Sequence, residues 1–153
     1  MQQLGFPVAT ATAVSGLTLR QIRLLDERSL VKPSLGRRGG RGVHARYSFF
    51  DLIALRSIER LRACGESPVE NMRRAMSELE KLRNGGWTSR LLATGDGQSW
   101  WLFQDQASML DQLTDSELLI FIDLRAVDHA VRKSLEQFGV GAPADPGWGI
   151  TAT

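Results

Sequence analysis

Arg20 and Arg23 stand three residues apart where apolar residues recur at helical spacing, and Arg37, Arg38, Arg41 and Arg46 follow in a glycine-dense segment. So many guanidinium groups with few acids among them are chemistry for holding a polyanion. Residues 20–62 carry eleven basic side chains (Arg20, Arg23, Arg28, Lys32, Arg37, Arg38, Arg41, Arg46, Arg56, Arg60, Arg62) against four acids (Asp26, Glu27, Asp51, Glu59), a net of +7. The whole 153-residue chain is only +2, so everything outside that segment sums to −5. A uniformly basic protein is merely adhesive, whereas a basic module beside an acidic one offers a polyanion such as double-stranded DNA one region alone.

The elements that must position these arginines follow from local signals. Val8–Ser15 is small and apolar, and Gly16 ends it as a helix C-cap glycine does. Thr18 caps the next helix, with Gln21 three residues on to complete a capping box, which predicts a helix from about Leu19 to Glu27. Leu19, Ile22 and Leu25 fall on one side of it, and Arg20, Arg23 and Glu27 on another. In a helix-turn-helix the second helix enters the major groove, which nominates Thr18, Arg20, Gln21 and Arg23 as DNA contacts. After Lys32–Pro33, residues 34–46 are rich in Gly and Arg. One reading is a β-hairpin wing that lays Arg37, Arg38 and Arg41 along phosphates; the other is an arginine–glycine segment that binds RNA non-specifically. Residues 43–49 can form the wing's return strand, with Arg46 and Tyr47 on opposite faces and His44 near phosphate or solvent. No Gly-Lys-Ser/Thr follows the glycines, which argues against a nucleotide-binding loop.

Ser48-x-x-Asp51 supplies another cap. Leu52, Ile53, Leu55, Ile58 and Leu61 then give the apolar stripe of a helix to about Cys64, with Arg56, Arg60 and Arg62 outward and Gly65 as the stop. Ser67-Pro68-Val69-Glu70 opens a further helix, which Met72, Ala75, Met76, Leu79 and Leu82 continue as core or interface until Asn84-Gly85-Gly86. Cys64 is the only cysteine, which leaves no intrachain disulfide and no thiolate cluster for a metal. It is expected to be a small buried residue near a helix end.

These residues resemble the MerR family of transcriptional regulators over about residues 5–82. The matching motifs are Ser15–Thr18, Ile22–Arg23, Asp26–Glu27, Leu30–Pro33, the run Arg46–Leu52, and Leu61–Ser67 before a helix. The resemblance implies a dimeric regulator on an inverted-repeat operator, with Gln21 and Arg23 on the recognition helix and the Arg37–Arg46 wing on the DNA backbone. Three departures stand beside it. The family's aromatic pair after the recognition arginine is Leu24–Leu25 here. Its arginine two places before the wing tyrosine is Ala45, with Arg46 displaced by one. The long helix that pairs two subunits is absent, which favours repression over promoter-untwisting activation.

From Trp87 the pattern changes period. Residues 88–94 and 98–104 read as two strands joined by a tight turn at Gly95-Asp96-Gly97, a hairpin. Residues 105–113 read as a short helix with Met109, Leu110 and Leu113 inward, 118–124 as an apolar strand, and 128–138 as a closing helix bearing Val131, Leu135 and Phe138. This ββαβα order completes an α+β protein: a winged helix-turn-helix domain at 1–84, a small α+β domain at 87–138, and a flexible Gly/Ala/Pro-rich tail at 139–153. Asp96, Asp105, Asp111, Asp115, Asp123, Asp128 and His129 are acids and a histidine without metal or catalytic spacing, and most fall at caps and turns. No enzyme, metal site or cofactor is expected, and His129 reads as a surface or interface residue.

Trp100 and Trp101 are adjacent in a strand and so point to opposite faces. With Leu124 they nominate a subunit or partner interface, against the alternative that both are covered by the helices. No run approaches the roughly 18 apolar residues of a membrane span, and 42% apolar with 24% charged residues is normal for a globular protein. A cytoplasmic protein, nucleoid-associated when DNA-bound, is the expectation. A homodimeric regulator leads. A rival is an antitoxin-like protein that binds a partner protein through residues 87–138 and DNA through its N-terminal half.

Overall fold

Pro7 fixes the backbone at the start of the first helix, α1 (Val8–Ser15), and Gly16 ends it at φ +85°, donating its N–H to Thr12 O at 3.0 Å. A side chain with a Cβ resists that left-handed conformation, so the residue type sets the helix end. In the computed structural model the residues described are 5–35, 45–65, 68–85 and 90–139. Among them the chain is an α+β protein with six helices and one three-stranded antiparallel sheet. After α1 come α2 (Leu19–Glu27), α3 (Phe49–Ala63), α4 (Val69–Gly85), β1 (Leu91–Thr94), β2 (Trp100–Phe103), α5 (Gln106–Gln112), β3 (Ile120–Asp123) and α6 (Leu124–Gln137).

The chain forms two compact units that divide inside α3 and inside α6. The first takes the described residues of Met1–Glu59 and Asp128–Ala142, the second those of Arg60–Val127. In the first unit the core is built from Ala11, Val14, Ile22, Leu25, Leu52, Ile53, Leu55 and Ile58, all of them buried. Truncating any one of these buried Leu or Ile residues to Ala costs about 2–5 kcal/mol. Two isolated antiparallel bridges join distant segments. Phe6 pairs with Tyr47, and Leu35 pairs with Arg46 through hydrogen bonds of 2.9 and 2.8 Å in both directions. The second pair sets residue 35 beside residue 46. Gly5 lies against this bridge so closely that a Cβ there would meet Arg46 Cβ at 2.9 Å.

α3 begins at Phe49, two residues after Tyr47, so Phe49 belongs to a helix and not to the expected return strand. The reason is the Ser48 cap: Ser48 Oγ accepts from Asp51 N at 3.0 Å, and Asp51 Oδ2 accepts from Ser48 N at 2.8 Å. Two expectations for the far end of α3 need correcting. Cys64 is exposed, because the helix stops at Ala63 and the chain turns away at Gly65. Arg56 is not an outward cation, since its Nη1 donates to Val14 O at 3.3 Å and so satisfies a carbonyl left open in the last turn of α1.

In the second unit β1 is central, ordered β2-β1-β3, with Leu92 opposite Leu102 on one side and opposite Ile122 on the other. Period-2 alternation gives its Leu91 and Ala93 to one face, where they pack with Met109 of α5, Phe103 and Leu113. Leu92, Thr94, Trp100 and Ile122 are buried on the other face, and α4 packs on β1 and β2 with Met72, Ala75, Met76, Leu79 and Leu82 buried. The ββαβα order is the expected one; its boundaries differ. The hairpin connection is the five residues 95–99, because Asp96 Oδ1 gathers Gln98 N and Ser99 N at 2.8 Å each. Leu110 is 45% exposed, since α5 is too short to turn more than Met109 fully inward. The last strand ends at Asp123, whose carboxylate accepts from Arg125 N at 3.0 Å, so α6 starts at Leu124, four residues before the expected Asp128.

Candidate nucleic-acid interface

α2 is held by its own first turn. Thr18 Oγ accepts from Gln21 N at 3.1 Å, while Gln21 Oε1 accepts from Thr18 N at 2.9 Å, so each side chain satisfies a backbone donor the helix leaves open. α1 and α2 are joined by the three residues 16–18, the length of turn that links the paired helices of a helix-turn-helix. Ile22 and Leu25 anchor α2 in the core of the first unit, which leaves Leu19, Arg20, Arg23 and Leu24 exposed.

The charge order along α2 is the reverse of what a helix dipole favours. Its first turn holds no acid, its last turn holds no base, Arg20 lies at the second position and Asp26 and Glu27 close the helix. Cations sit beside the positive end and anions beside the negative end. Lys32 offsets part of the second conflict, with Nζ at 3.0 Å from both Asp26 O and Asp26 Oδ1. Nothing offsets the first: among the described residues Arg20 and Arg23 have no intramolecular partner. The cations of α4 contrast with them. Arg73, Lys81 and Arg83 pair with Glu70, Glu78 and Glu80 one turn away, and Arg74 donates to Asn71.

The C-terminal end of α2 makes a Schellman closure: Ser29 N donates to Asp26 O at 3.0 Å and Leu30 N to Leu25 O at 2.9 Å, with Ser29 at φ +58°. Beyond it Asp51 holds Ser34 next to the Leu35–Arg46 bridge. Its fully buried carboxylate accepts from Ser34 N at 3.0 Å and Ser34 Oγ at 2.6 Å as well as from Ser48 N. One side chain thus starts α3 and ties Ser34 to it. Sequence reasoning saw the cap and missed the contact to Ser34, because no local signal marks a hydrogen bond across 17 residues.

The nominated residues therefore separate. Thr18, Arg20, Gln21 and Arg23 lie together on the first two turns of α2. Arg37, Arg38, Arg41 and His44 lie outside the described residues. Arg46 is on the bridge to Leu35, half-buried, with Nη1 3.4 Å from Gly5 O. Tyr47 is 3% exposed and belongs to the core, because the bridge to Phe6 turns it inward; it is not a surface contact. Of the interface trio, Trp100 and Leu124 are buried and drop out: the first lies on the covered face of the sheet, and the second opens α6 as a core residue. Trp101 points the other way and is 47% exposed.

Asp96, Asp105 and Asp128 each have a partner within the fold. Backbone N–H groups of Ser99 and then Gln98 hold the Asp96 carboxyl below its ordinary value, and Ser108 N does the same for Asp105 at the start of α5. Asp128 pairs with Arg132, whose guanidinium lies 4.7 Å over the Phe49 ring. Among the described residues no three His, Cys, Asp or Glu side chains gather as a metal site requires, and no helix is long and apolar enough to cross a membrane.

No family model matches this chain. It is 33% identical over 78 residues to proteins named uncharacterized HTH-type transcriptional regulators from Mycobacterium bovis and from two strains of Mycobacterium tuberculosis. The shared stretch covers 51% of this chain and 34% of the relatives, so the chain spans about a third of the length of the proteins it matches.

Proposed function

We propose that the protein is a DNA-binding transcriptional regulator in which α2 enters the major groove and the arginine-rich segment 35–46 lies on the adjacent backbone. The observation that carries this reading is the pair Arg20 and Arg23 on the first two turns of α2: both are exposed, among the described residues neither has an intramolecular partner, and Arg20 lies at the positive end of a capped helix, a place that favours an external anion. The naming of the mycobacterial relatives supports regulation of transcription. The MerR-like motifs in the first half support a dimer on an inverted-repeat operator, acting by binding and not by catalysis. With α4 ending at Gly85 before the sheet begins, the second unit takes the pairing role and repression is the mode of action.

Backbone amide shifts on adding a duplex of about 25 base pairs test this. The reading predicts the largest changes at residues 16–25 and in the segment 35–46, with the α4 amides little moved. Changes concentrated in α4 or the sheet, with α2 silent, would overturn it.

A further inference from the structure

The capping box of α2 fixes more than the helix start. A backbone N–H can be met only by the carbonyl end of an amide, so the bond from Thr18 N to Gln21 Oε1 assigns the orientation of the Gln21 side chain. The oxygen is turned back to the cap, and the NH₂ group is the end left for an outside partner. Glutamine ordinarily reads adenine with both ends at once, accepting from N6 and donating to N7. Here the oxygen is turned back to Thr18 N, so although it keeps a second lone pair it does not lie beside the NH₂ group at a base edge. We propose that Gln21 reads DNA as a hydrogen-bond donor only, and so selects a base whose major-groove edge offers acceptors, guanine with O6 and N7 foremost, while rejecting cytosine, whose N4 amine is a donor. The inference rests on the reading of α2 as the groove-entering helix and adds to it the polarity of one contact.

The substitution Gln21→Glu separates the two roles of the side chain. A carboxylate keeps an oxygen facing Thr18 N, as glutamate does in capping boxes generally, and replaces the outward donor by an acceptor. Full-length wild type and Gln21→Glu are each used to select duplexes from a random pool, and thermal melting of both proteins checks that the cap survives. The expected result is one position per half-site at which wild type enriches guanine and Gln21→Glu enriches cytosine, each roughly tenfold over the other base, given the discrimination typical of a good base contact. Gln21→Met, which has neither donor nor amide acceptor, is expected to lose preference at that position alone. If wild type selects a motif and Gln21→Glu selects the same motif with the same preferences, the donor-only inference is wrong while the DNA reading stands. If wild type selects no motif, the DNA reading itself fails, and the inference with it.

Discussion

Ser29 occupies a left-handed conformation, φ +58°, that suits glycine and strains other residues. Ser29→Gly keeps the Schellman hydrogen bonds and removes the strain. It is expected to stabilise the protein by about 1 kcal/mol, seen as a rise of roughly 2–4 °C in melting temperature for a chain of this size; a fall would show that the serine side chain contributes something the glycine lacks. Asp96 makes a prediction in pH. Its carboxyl titrates below the ordinary value of 3.8 because Ser99 and Gln98 donate to the charged form. A folded value below the unfolded one contributes stability that is complete above the ordinary value and disappears as pH falls through the depressed one. Asp96→Asn should therefore lower the melting temperature at pH 7 and show a smaller further drop between pH 5 and pH 3 than wild type does. Residue by residue, legibility followed range. Thr18, Gln21, Gly16 and Ser48 were readable because their partners lie within four residues. Tyr47 was misread as a DNA contact because its burial depends on a strand partner at Phe6, 41 positions away.

At the scale of elements, the carboxylate of Asp51 joins two pieces: the Ser48 cap that starts α3, and Ser34 beside the Leu35–Arg46 bridge. Asp51→Ala leaves Ser34 N and Ser48 N without that acceptor in a buried setting, and it should cost about 2–4 kcal/mol. Denaturant unfolding measures the loss directly, and a loss below about 0.5 kcal/mol would mean water replaces the carboxylate at little expense. The helices were the most legible elements, since 3.6-residue periodicity and caps both mark them. α1 and α2 lie where the sequence puts them. The strands were legible in order and not in extent: 98–104 and 118–124 shrink to four residues each in β2 and β3, and of 88–94 the described residues give β1 as Leu91–Thr94, with 88–89 outside them. Apolar runs look alike whether they continue a strand or open a helix, and Leu124 turns helical only because Asp123 caps the chain there. For the same reason Trp100 and Trp101 were correctly read as facing opposite ways, while which of them the helices cover needed the packed structure.

On the scale of the whole molecule, a +7 segment at residues 20–62 is set against a remainder of −5, and under the proposed reading the first meets DNA while the sheet-bearing second unit pairs subunits. Under that reading, long-range attraction brings DNA to the basic segment and a few side chains read bases, so affinity and specificity should respond to different changes. Raising salt weakens binding to every duplex, whereas altering α2 weakens binding to the preferred one. The measurement that tests this most directly is titration of a fluorescent duplex, selected from a random pool, into wild type and Arg23→Ala at two salt concentrations, with a scrambled duplex beside it. The account predicts preference for the selected duplex, a steep loss of affinity at the higher salt, and at least a roughly tenfold weakening in Arg23→Ala that narrows the gap between the two duplexes. Equal affinity for both duplexes, unchanged by Arg23→Ala, would contradict it.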